Sequence, residues 1–430
     1  MTKYFIIAFL CIGFITKAQQ PMSLTQAINI ALKNSLDVEL LQNRVAIDSV
    51  YNNYGVAGGL PVITGSLSDN EQITTVDQKL NTGVEISRRN AAANTLSANV
   101  TGSILLYNGG RVVATKKRLA QLQQQSIKLL NSQVQNVIAD VSNAYYDVVR
   151  QQYYVKTIER SIDAAKQRLD IVKTSQQAGL ANNADLFQSQ IDLNSLQQQL
   201  QAQELIIAQA KTELLRLLTL KTDSSVVIQD SIIVDRAVDF ANIYNRLDKN
   251  PDIMAANDQV KINELIVKET AAQRYPSIRA NTGYNFNRNI GAGQVVFNQS
   301  YGPTLGVSMS IPIYNGSIFS RQQKAATIDV NNAVAQKEIL VRDYTANAVK
   351  TYQAYKSTLQ QLETEKQNNA LTARLLELVL KRFQLRQATI VEVKNAQQSF
   401  EESGYRLTNL NYAAKFAETE LKRLGSMLSN

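Results

Sequence analysis

Apolar positions in this chain recur in two registers, and each register occurs twice. Leu186, Ser189, Leu193, Leu196, Leu200, Gln203, Ile207, Ala210, Leu214 and Leu217 advance by alternating steps of three and four, the spacing of one helix face in a packed coiled pair. Shifting the chain by 207 residues lays them on Val393, Ala396, Phe400, Ser403, Leu407, Leu410, Ala414, Ala417, Leu421 and Leu424. The same shift puts Leu106-Tyr107-Asn108-Gly109 on Ile313-Tyr314-Asn315-Gly316, and Tyr145 on Tyr352. One offset kept over that length is an internal duplication.

Between the helical stretches the period drops to two. Leu96, Ala98, Val100, Gly102 and Ile104 alternate with Ser97, Asn99, Thr101 and Ser103, and Ile63, Gly65 and Leu67 do so more weakly. In the second half Ile278, Ala280, Thr282, Tyr284 and Phe286, and then Leu305, Val307, Met309, Ile311 and Ile313, alternate in the same way. This predicts four strands, each with one apolar and one polar face. Residues 69–95 read as a long polar loop or extended hairpin tip, and residues 287–300, rich in Asn and Gly, as its counterpart.

The helical stretches are long. Leu130, Val134, Val137, Val141, Ala144, Val148, Val155, Ile158, Ile162, Ala165, Leu169 and Val172 fit a heptad in which only Gln151 is out of character. A helix over residues 115–177 spans about 95 Å at roughly 1.5 Å per residue, and a turn at Gly179 sends the chain back to residue 220 as an antiparallel hairpin. Residues 320–384 repeat the outgoing helix, with a turn at Arg386. Ser23-Leu24-Thr25-Gln26 has the form of a capping box that starts the first helix, with a break near Asn34-Ser35.

The expected layout is a leader at 1–18, a first repeat at 19–220 and a second at 221–430. Strands fall at about 61–70 and 96–107 with an α-hairpin at about 111–220, then at about 277–287 and 303–313 with a hairpin at about 317–425. The fold class is mainly α with transmembrane β. The alternating runs reach the roughly nine to eleven residues that a tilted strand needs to cross a bilayer. Four strands cannot close a barrel, for which about eight are needed. An open sheet in lipid leaves backbone groups unpaired at several kcal/mol each, so the chain is expected to assemble with copies of itself.

Composition removes most chemistry. The apolar run from Tyr4 to Ile15, behind Lys3 and ahead of Thr16-Lys17-Ala18, reads as a secretory leader, and the single cysteine, Cys11, lies inside it. With no histidine in the chain, zinc sites, histidine triads and imidazole relays are excluded. The net charge of +9, or +7 once Lys3 and Lys17 leave with the leader, is scattered with no compact basic block, so no nucleic-acid partner is expected. No nucleophile, base and orienting group cluster at a recognisable spacing and no Gly-rich phosphate loop follows a strand. The reading is therefore not an enzyme, with no cofactor and no metal.

The duplicated layout, Pro61 and Pro276 before the outgoing strands, the Tyr-Asn-Gly corners, and the turns at residues 178–186 and 387–393 together resemble the TolC family of outer-membrane efflux proteins over residues 23–424. The resemblance implies a homotrimer, with a twelve-stranded β-barrel in the outer-membrane lipid continued by an α-helical barrel across the periplasm. It also implies a periplasmic adaptor and an inner-membrane transporter as partners. By resemblance the adaptor docks on Gly179, Leu180 and Ala181 and on Arg386, Gln387 and Ala388, while Gly179 also permits the reversal. Asp185, Glu392 and Asn395 fall at the periplasmic mouth, where other members place further acids. The Tyr and Arg of some drug exporters align here with Phe383 and Ala388, so their gate hydrogen bonds do not carry over.

Asp185 reads equally well as a carboxylate at a helix N-terminus. Three carboxylates such as Glu392, about 10 Å apart in water, repel by roughly 0.4 kcal/mol per pair, too little to hold a mouth open or shut. Tyr107 and Tyr314 read as packing at the bend, and Tyr284, Phe286, Phe297 and Tyr301 as a membrane-interface belt. An adaptor with a single hairpin, or a structural coiled-coil stalk without a conduit, are the competing classes.

Overall fold

The structure, a computed structural model, describes residues 21–291 and 296–428, so the expected leader lies outside the described residues. The chain divides into two units. One holds residues 40–132 and 248–343, and the other holds residues 133–247 and 344–430 with the N-terminal segment to residue 39.

The first unit is built on a four-stranded antiparallel sheet in sequential order. Its strands are β1 (Val62–Lys79), β2 (Glu85–Tyr107), β3 (Ser277–Gly291) and β4 (Phe297–Ser310). The β1–β2 ladder continues through the polar stretch up to the pair Lys79 and Glu85, so only residues 80–84 form the turn. Polar residues at both faces hid this extension, because the strand there has no apolar side for a period to mark. At the other end β4 stops at Ser310, and Ile311 and Ile313 lie beyond it.

Register gathers one apolar face. Ile63, Gly102, Thr282 and Leu305 form one row, Gly65, Val100, Tyr284 and Pro303 the next, and Leu67, Ala98, Phe286 and Tyr301 a third. The opposite face is polar and bonded strand to strand: Thr64 and Thr101 hydroxyls lie 2.9 Å apart, Ser66 donates to Asn99 (2.8 Å), Ser97 to Asn287 (2.8 Å) and Asn281 to Ser308 (3.0 Å). The outermost strands, β1 and β4, are solvent-exposed along almost their whole length. Tyr107 and Tyr314 are 46 % and 84 % exposed, which corrects the expectation that both pack into the bend: within one chain Tyr107 is only partly covered and Tyr314 is largely open.

Beneath the sheet α2 (Leu36–Tyr51) and α6 (Pro251–Ala272) pack on the outgoing helix α3 (Arg111–Gln177). Arg118 pairs with Glu269 at 2.7 Å and Lys128 with Asp258 at 2.9 Å. Ser126 donates to the carboxylate of Asp48.

The second unit is helical. It contains α1 (Leu24–Asn34), α4 (Asn183–Leu217), α5 (Phe240–Arg246), α8 (Ile390–Leu424), and the distal lengths of α3 and α7 (Ile318–Gln384). Ser23 opens α1 with both bonds of a capping box. Helices α3 and α7 are each 67 residues long, and α4 and α8 are each 35. Starts at Arg111 and Ile318, and at Asn183 and Ile390, keep the 207-residue offset. Left-handed backbone recurs at the same offset: Gly109 and Gly316, Gly110 and Ser317, Gly179 and Arg386, Thr219 and Ser426. Every one of the ten apolar-register positions on α4, and on α8, is at least partly buried. Ile158, Ile162, Ala165, Leu193 and Leu196 join α3 to α4 in one core, and Leu376, Val379, Val393, Ala396 and Phe400 join α7 to α8 around Ala164 of α3 in another.

Candidate functional site

The two helix reversals are built alike. After α3 the Gly179 amide donates to Gln176 O (2.9 Å) and the Leu180 amide to Ser175 O (2.8 Å). After α7 the Arg386 amide donates to Phe383 O (3.0 Å) and the Gln387 amide to Arg382 O (2.8 Å). Each is a Schellman end, which needs one residue in left-handed backbone. Gly179 takes φ +73° without cost, whereas Arg386 holds φ +61° as an L residue. The Arg382 guanidinium, donating to Gln387 O at 2.7 Å, helps fix that second turn.

The next helices are capped three residues further on. Asn182 accepts from the Asp185 amide at 2.7 Å. Thr389 accepts from the Glu392 amide at 3.2 Å, while Glu392 accepts from the Thr389 amide (2.6 Å) and hydroxyl (3.0 Å). These bonds from the Thr389 backbone and side chain hold the Glu392 carboxyl below its ordinary pKa. Thr389-Ile390-Val391-Glu392 is thus a capping box, a signal present in the sequence and passed over there in favour of a pore position. Asn395 is exposed one turn further along α8.

The structure brings the two turns together. Leu180, Ala181 and Asp185 from one, and Arg386, Ala388 and Thr389 from the other, line a common cavity of about 350 Å³. Ile171, Val172 and Phe383 supply apolar wall. Gly179, Gln387, Glu392 and Asn395 lie outside this lining.

Behind the tips is a charged cluster that sequence reasoning missed. Arg168 of α3 is 1 % exposed, and its Nη2 donates to Asp192 of α4 at 2.8 Å. Lys394 of α8 reaches the other oxygen of Asp192 at 3.2 Å, and Gln188 donates to that oxygen at 2.8 Å. The partners stand 24 and 202 residues apart and have no counterparts at the 207 offset, so neither local spacing nor the repeat signalled them. Among the described residues no group of three or more acidic, Cys or His side chains is placed to hold a metal.

Residues 27–219 and 242–425 match the family described as outer membrane efflux protein. The chain belongs to that family. It is 22 % identical over 366 residues to outer membrane protein TolC of Vibrio cholerae, covering 81 % of this chain and 82 % of that one. Among solved structures it superposes on CusC with a TM-score of 0.78 at 17 % identity, covering 95 % of this chain and 92 % of that one. VceC of Vibrio cholerae gives 0.76 at 16 % (94 % and 96 %), and CmeC of Campylobacter jejuni 0.76 at 15 % (95 % and 87 %). As an outer membrane efflux protein the chain is an exit channel of a tripartite efflux system. It resides in the outer membrane of Gram-negative bacteria with its helical part in the periplasm. Its family is one of conduits.

Proposed function

We propose that three copies close a twelve-stranded barrel in the outer membrane, continued by a helical barrel, and that the assembly is a passive conduit opened at its periplasmic end by an adaptor and an inner-membrane pump. The carrying observation is a four-stranded sheet whose two edges, β1 and β4, have no further strand partner among the described residues. In lipid each unpaired backbone group costs several kcal/mol, and joining β4 of one copy to β1 of the next removes both edges. The apolar face supports lipid on the outside and the bonded polar face water within. From Ile278 to Phe286 that apolar face extends about 26 Å along the strand at roughly 3.3 Å per residue, or about 20 Å of height at a tilt near 40°. Phe286, Tyr301 and Tyr284 sit at its outer end as an interfacial girdle, with Asp69 and Arg288 one row beyond and Phe297, opposite Ile290, a further row out.

The shared offset of helix bounds, caps and left-handed residues supports the two structural repeats, 19–220 and 221–430. At the periplasmic tips, Gly179, Leu180, Ala181, Arg386, Gln387 and Ala388 form the adaptor-docking surface, and Asp185, Glu392 and Asn395 line the mouth. The shared cavity supports one docking surface made from both turns. Closure rests on helix packing and on the Arg168, Asp192 and Lys394 link between the hairpins, and opening requires an adaptor that binds the splayed state better. A cysteine at Leu180 or Gln387, crosslinked in cells, should capture a periplasmic protein carrying a coiled-coil hairpin, and one at Gln209 on the exposed face of α4 should not. Capture at Gln209 with none at the tips would refute the docking assignment.

A further inference from the structure

The polar face of the sheet is almost free of charge. From Thr64 to Asn70, and at their partners on β2, β3 and β4, it carries only Ser, Thr, Asn and Gly. Arg279 lies two rows further toward the helices, opposite Leu105 and Ser308. It is the one charged side chain on that face within the described rows shared by β2, β3 and β4. It is exposed, and it belongs to no ion pair among the described residues.

Arg279 shares a cavity of about 350 Å³ with Arg111, the first residue of α3. Every lining residue belongs to the sheet-bearing unit, and none is a carboxylate. Glu269, one turn back along α6 from the lining residue Gln273, is committed to Arg118 at 2.7 Å. Asn108 adds a donor: its side-chain oxygen accepts from the Val112 amide at 3.3 Å, which leaves its NH₂ group for a ligand. Leu105, Pro312 and Phe319 supply apolar wall beside these donors. Two like charges in one cavity repel, and an anion entering between them relieves that repulsion.

We propose that this cavity binds an anionic amphiphile, an organic sulfonate or carboxylate on a small ring body, on its way through the conduit. The inference rests on the conduit reading above, in which the polar face lines the lumen, and adds a class of cargo. Guanidinium forks present paired N–H donors to sulfonate or carboxylate oxygens, and the apolar wall takes the rings. A volume of about 350 Å³ stands at the lower end of the roughly 300–1,000 Å³ of small-ligand pockets, which suits a small ring body and not a polypeptide. In the closed barrel three such cavities surround the lumen at one level, a cationic collar where strands meet helices. The neutral wall beyond it holds no competing charge, so an anion leaving the collar outward meets no second site.

The test is block of single-channel current in a planar lipid bilayer by naphthalene-2-sulfonate, with naphthalene-2-sulfonamide as the uncharged counterpart. The sulfonate should block native channels at about 10-fold lower concentration than the sulfonamide. Arg279→Gln and Arg111→Gln should each raise the half-blocking sulfonate concentration about 10-fold and leave the sulfonamide value in place. The two arginines stand on different elements, so either variant tests the cavity if the other does not fold. Arg274→Gln removes an exposed arginine outside the lining and should leave both values within about 2-fold. Equal sulfonate block of native, Arg279→Gln and Arg111→Gln channels would overturn the site while leaving the conduit standing, as would a loss in Arg274→Gln as large as theirs. A native protein that passes no current would overturn the conduit and the site with it.

Discussion

Replacing Asp192 by asparagine removes the counter-charge of a guanidinium that has almost no access to water. In the native protein Arg168 Nη2 donates to Asp192 Oδ2 at 2.8 Å, and Arg168 Nε is buried without a partner. Breaking a buried ion pair by removing one member costs about 3–5 kcal/mol, because the remaining charge stays desolvated. Glu401, whose field also acts on Arg168, persists in the variant and places the cost near the lower end. About 3 kcal/mol corresponds to roughly 100-fold faster local opening, so amide exchange over α4 near residues 186–196 should rise by about that factor. Lys394→Gln removes a partner that is 45 % exposed and should raise it less than about 5-fold. Arg168→Met with Asp192→Leu, which removes both charges, should recover most of the protection. The pH dependence has a fixed sign. Burial opposes ionisation of Asp192, but hydrogen bonds from Gln188 and Lys394 and the charges of Arg168 and Lys394 outweigh it, and its pKa lies below the ordinary 3.8. A carboxyl depressed in the folded state stabilises it only when ionised, so protection should stay level above that ordinary value and fall as pH drops through the folded one. Exchange rates within 2-fold of the parent for Asp192→Asn would refute the reasoning.

Three further outcomes follow from the geometry. Glu392→Gln keeps a side chain able to close the capping box while removing the charge, so planar-bilayer recordings should show reduced cation preference from an intact channel; unchanged preference would leave Glu392 with the cap alone. Gly109→Ala forces a Cβ to within 2.6 Å of Tyr275 Cβ and 2.8 Å of Ala272 O at φ +67°, whereas Gly316→Ala at φ +66° meets nothing within 4 Å. The first should lose most folded material on a heat-stability gel, and the second should cost about 1 kcal/mol of backbone strain. Arg386→Gly relieves the left-handed strain at φ +61° and should slow exchange at the Gln387 amide, yet reduce adaptor crosslinking from Leu180; a parallel loss of both would make the turn's role structural only.

The helices were legible because their determinants are local and written twice: steps of three and four, a Gly at the first reversal, and caps three residues on. The strands were legible only where one face is apolar. From Asp69 to Lys79 and from Glu85 to Thr95 the few large apolar residues, Ile73, Val76 and Ile86, keep no sustained period of two, so the ladder there follows from backbone pairing that leaves no period in the sequence. Arg386 shows a different limit. Only its alignment with Gly179 marks it as left-handed, since arginine itself gives no such signal. The cluster of Arg168, Asp192 and Lys394 was out of reach because three helices bring it together and the duplication does not repeat it. The capping role of Glu392 was within reach, since Thr389 stands three residues before it.

The proposed assembly depends on a sheet too narrow to close within one chain. Its most direct test is single-channel recording from the detergent-purified protein, with native mass measured on the same sample. A mass of three chains and discrete, ohmic conductance steps in a planar lipid bilayer are the predicted result. A water-soluble single chain that passes no current would contradict it.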